Sequence, residues 1–309
     1  MNRGSIDVLA LGRICVDKFL VLDRFPAEDT KVEVVDTMLE SGGNSSTAAC
    51  CVNRLGGKAA FIGRVGDDEG GRYCLNRLKE YGVDVEHVRI IPGGVTPMSH
   101  ILVSQETGTR TLLSQKNPLP PIKLKEADHH LIHEAAVILL DPGCTHLAPE
   151  LAQIHQRGAI VYDCEIRQDG LDAMMVLADY FVPSADFLLA GKQSGTKSKL
   201  ISQIYSLDRK VSGRLIVTAG ADGAYYMHEG ILYQVAPPNL PIIDTTGAGD
   251  NFHGAFAYAL SRGYTIHKAV KLSVATATLS CREFGSKAAQ VELDWAEQVV
   301  ETLKSQRIS

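Results

Sequence analysis

Short runs of apolar residues alternate along the chain with longer stretches in which apolar residues recur every three or four positions. The short runs are typical of buried parallel strands, and the longer stretches are typical of helices that cover a sheet. Strands are predicted at 6–11, 59–62, 136–140, 159–162, 187–189 and 215–217. Helices are predicted at 46–55, 70–81, 149–156, 171–181, 251–262, 266–280 and 293–305. The alternation indicates an α/β fold with a mainly parallel central sheet between helices.

Two segments, at about 15–38 and 95–113, depart from this pattern. Apolar and polar side chains alternate in them, as at 31–36 and 99–104, which is typical of half-exposed antiparallel strands. We therefore predict one α/β domain over 1–309 with an inserted β-sheet lid, whose hairpin turn lies at 106–109. The apolar face of such a lid needs a cover, which either a substrate or a second copy in a homodimer would supply.

Composition narrows the class of partner. The chain has 309 residues and a net charge of -5, from 31 Lys and Arg against 36 Asp and Glu. Because no basic excess or basic run is present, we expect a small-molecule partner and no nucleic acid. The first residues resemble neither a signal peptide nor a membrane span, so a cytoplasmic protein without membrane contact is expected. The seven cysteines have no C-x-x-C spacing, which predicts reduced, buried thiols.

The segment 242–256 carries the strongest chemical signal. Small residues at Gly247, Ala248 and Gly249 precede a helical pattern, so backbone N–H groups at the helix start can converge on phosphate oxygens. Asp250 then lies in the first turn, where a carboxylate can accept the proton of an attacking hydroxyl. The positive end of the helix is expected to keep Asp250 ionised. The alternative is that this run only caps a helix.

Segment 244–250, with the sequence Asp-Thr-Thr-Gly-Ala-Gly-Asp, resembles the C-terminal signature of the PfkB/ribokinase family. Segments 41–49, 54–57 and 61–68 together resemble its N-terminal signature. The resemblance implies a ribokinase-like fold and transfer of the γ-phosphoryl group of ATP to a sugar hydroxyl. It also implies that Asp250 is the catalytic base and that Gly247, Ala248 and Gly249 form the anion hole.

The same resemblance implies two further sets of contacts. Sugar contacts are implied for Asp17, Gly43, Asn44 and the lid residue Arg110. A further contact is expected at Thr47, although this chain has Thr there where ribokinase-like members often have a sugar-binding Asn. ATP contacts are implied for Thr218, Gly220 and Gly223. Simpler alternatives are a solvated turn at Asp17, a helix N-cap at Asn44 and a solvated strand charge at Arg110. The glycines at 220 and 223 also suit a plain turn.

The chain departs from the family at the Asn-x-x-Glu motif that is linked to Mg²⁺, since 184–187 reads Ser-Ala-Asp-Phe. The protein ligands of a metal are therefore left open, and Mg²⁺ is expected on the ATP oxygens and water. By resemblance alone, a monovalent cation such as K⁺ is expected near the Asp244 loop. Features of 42–46 and 25–29 are similar to ketohexokinases, whereas 63–68 and 252–255 are similar to bacterial sugar and sulfosugar kinases.

The expected substrate is a ketose or related furanose. The alternatives are a nucleoside kinase of the same superfamily and a sugar-binding regulatory protein without turnover. His129, His130 and His133 have a metal-ligand spacing but no partner motif, so a surface helix is predicted there. Lys192 lacks the glycine-rich loop of a P-loop. His253, one turn beyond Asp250, is predicted to pack within its helix.

Overall fold

The computed structural model describes residues 6–107, 109–115, 119–190, 196–285, 287 and 291–308. In these residues the strands are β1 (Val8–Leu11), β2 (Cys15–Leu22), β3 (Asp36–Gly42), β4 (Ala59–Gly66), β5 (Val88–Ile91), β6 (Met98–Ser104), β7 (Arg110–Ser114), β8 (Val137–Leu140), β9 (Ala159–Cys164), β10 (Tyr180–Pro183), β11 (Arg214–Thr218), β12 (Ala224–His228), β13 (Ile231–Val235) and β14 (Ser305–Arg307). The α-helices are α1 (Asn44–Arg54), α2 (Glu69–Glu80), α3 (Glu126–Glu134), α4 (Ala148–Ile154), α5 (Leu171–Leu177), α6 (Ala185–Leu189), α7 (Lys197–Asp208), α8 (Ala248–Ser261), α9 (Ile266–Ser280) and α10 (Leu293–Val300).

The large sheet has ten strands in the order β14-β13-β12-β11-β10-β9-β8-β1-β4-β5. The pairs from β11 to β5 are parallel, and the remaining edge is antiparallel. The predicted α/β fold with a mainly parallel sheet is thus confirmed. Because the carboxyl ends of parallel strands meet at one edge, side chains just beyond β1, β4, β8 and β9 come together there.

The central strand β1 explains why its sequence is apolar throughout. Val8 and Ala10 pack into the core that contains α1 and α8, whereas Leu9 and Leu11 pack into the core on the other face. All four side chains are buried. A strand covered on both faces has no solvent side, so its residues do not alternate with polar ones.

The small sheet has the order β3-β2-β6-β7 and forms the predicted lid, although two details differ from expectation. Strand β2 pairs in parallel with β6, so the lid is not wholly antiparallel. Residues 31–35 are not a strand, because β2 is already paired along its length with 36–42. The turn between β6 and β7 lies as predicted, and Gly108 within it lies outside the described residues, as does Pro118 after the lid.

Other differences occur where a short apolar run has no clear period. Residues 187–189 belong to helix α6, which Ser184 caps by accepting a hydrogen bond from the Phe187 N–H at 3.1 Å. The strand of this region is β10, whose first two residues are predicted as the end of the helix 171–181. Likewise, α10 ends at Val300 and the chain continues into β14, which pairs with β13. Short buried strands and helices cannot be separated by periodicity alone.

No helix in the described residues has an apolar stretch long enough to span a bilayer. All seven cysteines are free and buried, as predicted. Burial raises the pKa of the thiols of Cys50 and Cys51 to about 11 and about 12, respectively, which makes both unreactive at neutral pH.

Candidate active site

Helix α8 begins at the carboxyl edge of the large sheet with the geometry of an anion cradle. Its N-cap is Gly247, which has a φ of 72°, in the left-handed region that favours glycine. The first turn of a helix leaves N–H groups without intrahelical acceptors. A β-carbon added at Gly249 would meet no atom within 4 Å, so the backbone there is open to a ligand. These features suit the binding of phosphate oxygens.

A cavity of about 470 Å³ lies between this helix start and the lid. Eight of the predicted site residues line it: Asp17, Gly43, Asn44, Arg110, Gly247, Ala248, Gly249 and Asp250. Arg13, Ser99, Ile101, Leu112 and Glu165 line it as well. A larger cavity of about 640 Å³ lies at the opposite edge of the sheet, around Ala59 and Asp84, and none of the predicted site residues lines it. We call the 470 Å³ space the sugar cavity, after the sugar contacts that the sequence leads us to expect there.

Asp250 differs in its electrostatics from the expectation. Burial raises the pKa of its carboxyl well above the usual range, and the charges of Glu165 and Asp163 raise that pKa further. Lys287 opposes the shift. The positive end of α8 therefore does not lower the pKa of Asp250 as much as burial and the surrounding carboxylates raise it. A base with a raised pKa accepts a proton more strongly once it is ionised.

Asp163, the second-last residue of β9, connects three elements beneath the cavity. Its Oδ2 accepts a hydrogen bond from Asn44 Nδ2 at 2.9 Å, and its Oδ1 lies 3.6 Å from His253 Nε2. Burial lowers the pKa of His253 to about 4, so its ring is neutral near pH 7. His253 is buried in α8, as predicted, and Asn44 is the first residue of α1 rather than its N-cap. The bond orients the Asn44 amide at the cavity wall.

Two glycines bring the lid base close to helix α1. A β-carbon at Gly42 would lie 2.1 Å from Asp17 Oδ2, and one at Gly43 would lie 2.1 Å from the Arg13 carbonyl oxygen. Gly43 also has a φ of 107°. The close neighbours that require glycine here are thus protein atoms. Burial raises the pKa of Asp17, while Lys287 opposes that shift.

Arg110 reaches from lid strand β7 to the loop before α8. Its guanidinium donates to Thr245 Oγ1 and lies 3.8 Å from Asp244 Oδ1. Asp244 accepts from the Thr246 N–H at 2.9 Å and from the Gly285 N–H at 2.9 Å. The lid arginine therefore contacts the same loop that leads into the anion cradle.

Thr47 is the predicted sugar contact that does not reach the cavity. It lies in α1 with 1% of its surface exposed, and its N–H donates to the Gly43 carbonyl oxygen at 2.9 Å. The first turn of α1 presents Asn44 to the cavity and directs Thr47 into the core. The structure does not support Thr47 as a sugar contact.

A second, smaller cavity of about 90 Å³ lies on the other side of the α8 start. The predicted ATP contacts Thr218, Gly220 and Gly223 line it, together with Ala248 and Gly249. Gly223 has a φ of 80°, and a β-carbon there would lie 2.0 Å from the Val235 carbonyl oxygen. The two cavities therefore share the Ala248 and Gly249 wall, next to Asp250. We call the smaller space the nucleotide cavity, after the ATP contacts that the sequence leads us to expect there.

Residues 5–292 match the family model described as pfkB family carbohydrate kinase. The chain belongs to this family. Members of the pfkB family are phosphotransferases with an alcohol group as acceptor, so the predicted enzyme class is confirmed.

Relatives of this pfkB chain carry several sugar names. A 5-dehydro-2-deoxygluconokinase of Geobacillus thermodenitrificans is 26% identical over 99% of this chain and 96% of the relative. A ribokinase of Lactococcus lactis is 28% identical, covering 93% and 94%. A ketohexokinase of Mus musculus is 24% identical, covering 89% and 95%.

Solved structures of pfkB relatives share the fold. The ribokinase of Arabidopsis thaliana complexed with ribose and ATP superposes with a TM-score of 0.82 at 19% identity, over 96% of this chain and 99% of that one. The ribokinase of Giardia lamblia gives a TM-score of 0.84 at 17% identity, over 96% and 100%.

The segment that replaces the family's Asn-x-x-Glu motif begins helix α6, and Ser184 acts there as an N-cap. No cluster of three His, Cys, Asp or Glu side chains suited to a metal occurs in the described part of the chain. His129, His130 and His133 lie in α3, where His130 pairs with Glu134 at 3.3 Å. Lys192 lies outside the described residues.

Glu165, Asp163 and Lys287 are neighbours of the site that the sequence does not assign to it. Lys287 Nζ is buried and donates to the carbonyl oxygen of Ser41. The position of Asp163 directly after the predicted strand 159–162 is a usable signal, because ligands bind at the carboxyl ends of parallel strands. Lys287 has no such signal, because its contact with Ser41 spans 246 positions of the chain.

Proposed function

We propose that this pfkB kinase transfers the γ-phosphoryl group of ATP to a hydroxyl of a small sugar, a ketose or related furanose. Asp250 is the catalytic base, and Gly247, Ala248 and Gly249 form the anion hole. The observation that carries the proposal is the shared wall: the sugar cavity and the nucleotide cavity meet at Ala248 and Gly249, beside Asp250. A phosphoryl group that moves between two substrates needs this arrangement.

In the proposed reaction, the sugar hydroxyl lies against Asp250 and attacks the γ-phosphorus in line with the leaving oxygen of ADP. The hydroxyl proton passes to the Asp250 carboxylate, the new oxygen–phosphorus bond forms and the bond to ADP breaks. Backbone N–H groups at the start of α8 stabilise the negative charge on the transferring group. Asp17, Asn44 and Gly43 hold the remaining sugar hydroxyls, and Arg110 closes the lid side.

Several observations favour a bare sugar over a nucleoside. Among the described residues that line the sugar cavity, the lid contributes Ile101 and Leu112 but no aromatic ring to stack on a base. Phe19, a lid aromatic, is fully buried against Phe284. The names of the relatives cover ribose, ketohexose and a dehydro sugar acid, so a ketose or related furanose is consistent with them.

Mg²⁺ is proposed to enter bound to ATP oxygens and water, where it supplies positive charge to the phosphates. This fits a described site that offers no three-ligand cluster of its own. A monovalent cation beside the Asp244 loop and contacts of ATP with Thr218, Gly220 and Gly223 are part of the same proposal.

We also propose that the lid pairs with a second copy of the chain. By strand alternation, Leu39 and Leu113 lie on the lid face opposite to the cavity-lining Ile101 and Leu112. Half of the surface of each of the two leucines is exposed. Lys18 and His100 lie between the two leucines on the same face, so the face is apolar in part. Exposed leucines of this kind are typical of a contact surface.

The experiment is ADP release from Mg·ATP with ketohexoses, aldopentoses, sugar acids, sulfosugars and nucleosides. Asp250→Asn is run alongside, since it keeps the side-chain volume and removes the base. We expect one sugar class to be turned over and kcat to fall by about 100-fold or more in the variant. Normal turnover by Asp250→Asn would refute the base, and sugar binding without ADP release by the wild type would favour a regulatory protein.

A further inference from the structure

Two arginines lie side by side at the carboxyl edge of the large sheet. Strands β1 and β4 are parallel, with Leu11 level with Ile62, and the Gly12 N–H continues the ladder by donating to the Ile62 carbonyl oxygen at 3.2 Å. Arg13 is two residues beyond Leu11, and Arg64 is two residues beyond Ile62. Arg13 follows the end of β1 and Arg64 lies in β4, so the two are neighbours beyond the last paired residues of adjacent strands, which are about 4.8 Å apart.

Neither arginine has a carboxylate partner among the described residues, although one of them is buried. Only 9% of Arg64 is exposed, and its side chain makes no hydrogen bond or ion pair within the described part of the chain. Arg13 is half-buried, and its guanidinium makes one long contact, 3.4 Å from Nη2 to the Gln115 carbonyl oxygen. The Nε atoms of both arginines are buried without an acceptor, as is that of Arg89, but Arg89 has an ion-pair partner.

Other partly buried arginines of this chain are compensated. Arg77 pairs with Glu40 at 3.1 Å, and Arg89 pairs with the buried Asp128. A largely buried cation without an ion-pair partner is costly, and two like charges close together add repulsion. The Arg13 and Arg64 pair is thus an exception that the packing of the fold does not explain.

Asp141 is a nearby carboxylate, but its oxygens are already engaged. It accepts from the backbone N–H groups of Arg13 and Gly143, both at 2.8 Å, and from Ser45 Oγ at 2.9 Å. Burial lowers the pKa of Arg64; Cys144 and Asp141 oppose this shift, and the charge of Arg13 adds to it. Asp141 therefore does not form the ion pair that Arg64 lacks.

Arg13 lines the sugar cavity, as do Asp17 and Asn44, whereas Arg64 lies behind Arg13 and does not line it. We propose that Arg13, with Arg64 behind it, binds an acidic group of the sugar, so that the substrate is an anionic sugar rather than a neutral one. A guanidinium offers parallel N–H donors that match a carboxylate, sulfonate or phosphate group. The proposal rests on the proposed kinase function and specifies its substrate class.

The first test uses the wild-type chain with matched sugars. ADP release is measured with fructose and 6-deoxy-6-sulfofructose, and with 5-dehydro-2-deoxygluconate as a carboxylate. We expect the anionic sugars to have the higher kcat/KM by about 10-fold or more, as charge-assisted hydrogen bonds imply. We also expect inorganic sulfate to compete with them. Preference for fructose overturns this inference while leaving the kinase intact, whereas absence of turnover with every sugar overturns the proposed function itself.

The second test measures the ratio of kcat/KM for the anionic sugar to that for the neutral sugar. In Arg13→Gln and Arg64→Gln this ratio should fall by about 10- to 100-fold, mainly through KM for the anionic sugar. Arg64→Lys, which keeps the charge, should retain a higher ratio than Arg64→Gln. It replaces Arg64→Gln in the comparison if Arg64→Gln folds poorly. Arg214→Gln, an exposed arginine at the amino end of β11, is the control and should leave the ratio unchanged.

Two outcomes contradict the substrate class. The anionic substrate class is refuted if a folded Arg13→Gln protein keeps the wild-type ratio of kcat/KM for the anionic sugar to kcat/KM for the neutral sugar. Sulfate that activates turnover of fructose instead of competing with an anionic sugar also refutes it, because the arginines would then bind a free anion.

Discussion

Gly249 offers a test that separates activity from folding. A β-carbon at this position would meet no protein atom within 4 Å, and the residue does not have a positive φ. Alanine in place of glycine in a helix gains up to about 1 kcal/mol. For a chain of this size that gain corresponds to a rise in melting temperature of about 2 °C. Gly249→Ala should therefore fold at least as stably as the wild type.

Activity should respond in the opposite direction. Gly249 lines both the sugar cavity and the nucleotide cavity, so the added methyl group projects into the space through which the phosphoryl group passes. Displacing reacting atoms by about 1 Å can reduce the rate by about 100-fold. We expect kcat/KM for the sugar identified in the substrate panel to fall by about this factor.

The measurement combines thermal unfolding with ADP release for the wild type and two variants. Gly223→Ala is the matched control, because its φ of 80° and the Val235 carbonyl oxygen 2.0 Å from the new β-carbon predict loss of stability. Full activity in Gly249→Ala would show that phosphoryl transfer does not pass this wall. A large loss of stability in Gly249→Ala would show that the protein has no room for a β-carbon at position 249.

Glu165→Gln should move the acidic limb of the pH profile of kcat/KM to lower pH. Glu165 raises the pKa of Asp250, and the ionised form of Asp250 is the active one, so activity is lost as the pH falls through that raised pKa. Glu229→Gln is the control and should leave the acidic limb in place. An unmoved limb in Glu165→Gln would exclude this coupling. The double change of Leu39 and Leu113 to serine should reduce the mass measured by light scattering from that of a dimer to that of a monomer, and a monomeric wild type would exclude pairing through the lid.

The contiguous parts of the site were predictable from sequence. The run from Gly247 to Asp250 contains both the cradle and the carboxylate, because a helix start places consecutive residues together without help from the rest of the fold. The pattern of β1 likewise predicts a doubly covered strand. In such segments local geometry and sequence spacing carry the same information.

Contacts between distant segments were not predictable in this way. The Asn44 and Asp163 hydrogen bond joins residues 119 positions apart, and it depends on the order of β1, β8 and β9 in the sheet. Arg64 belongs to a segment that resembles a family signature, yet its lack of an ion pair becomes visible only when its neighbours are known. Edge strands such as β14 depend on a partner that the local pattern does not contain.

The ionisation of Asp250 shows how the assembled sheet changes a conclusion drawn from one helix. The positive end of α8 favours the carboxylate, as the sequence implies, but the sheet and lid bring Glu165, Asp163 and Asp17 to the same region. Burial and these charges favour the protonated form more strongly than Lys287 opposes them. A helix end alone would produce a base that is always ionised and correspondingly weak. The clustered carboxylates produce a stronger base that is ionised over a narrower range of pH, which is the property that the Glu165→Gln profile measures.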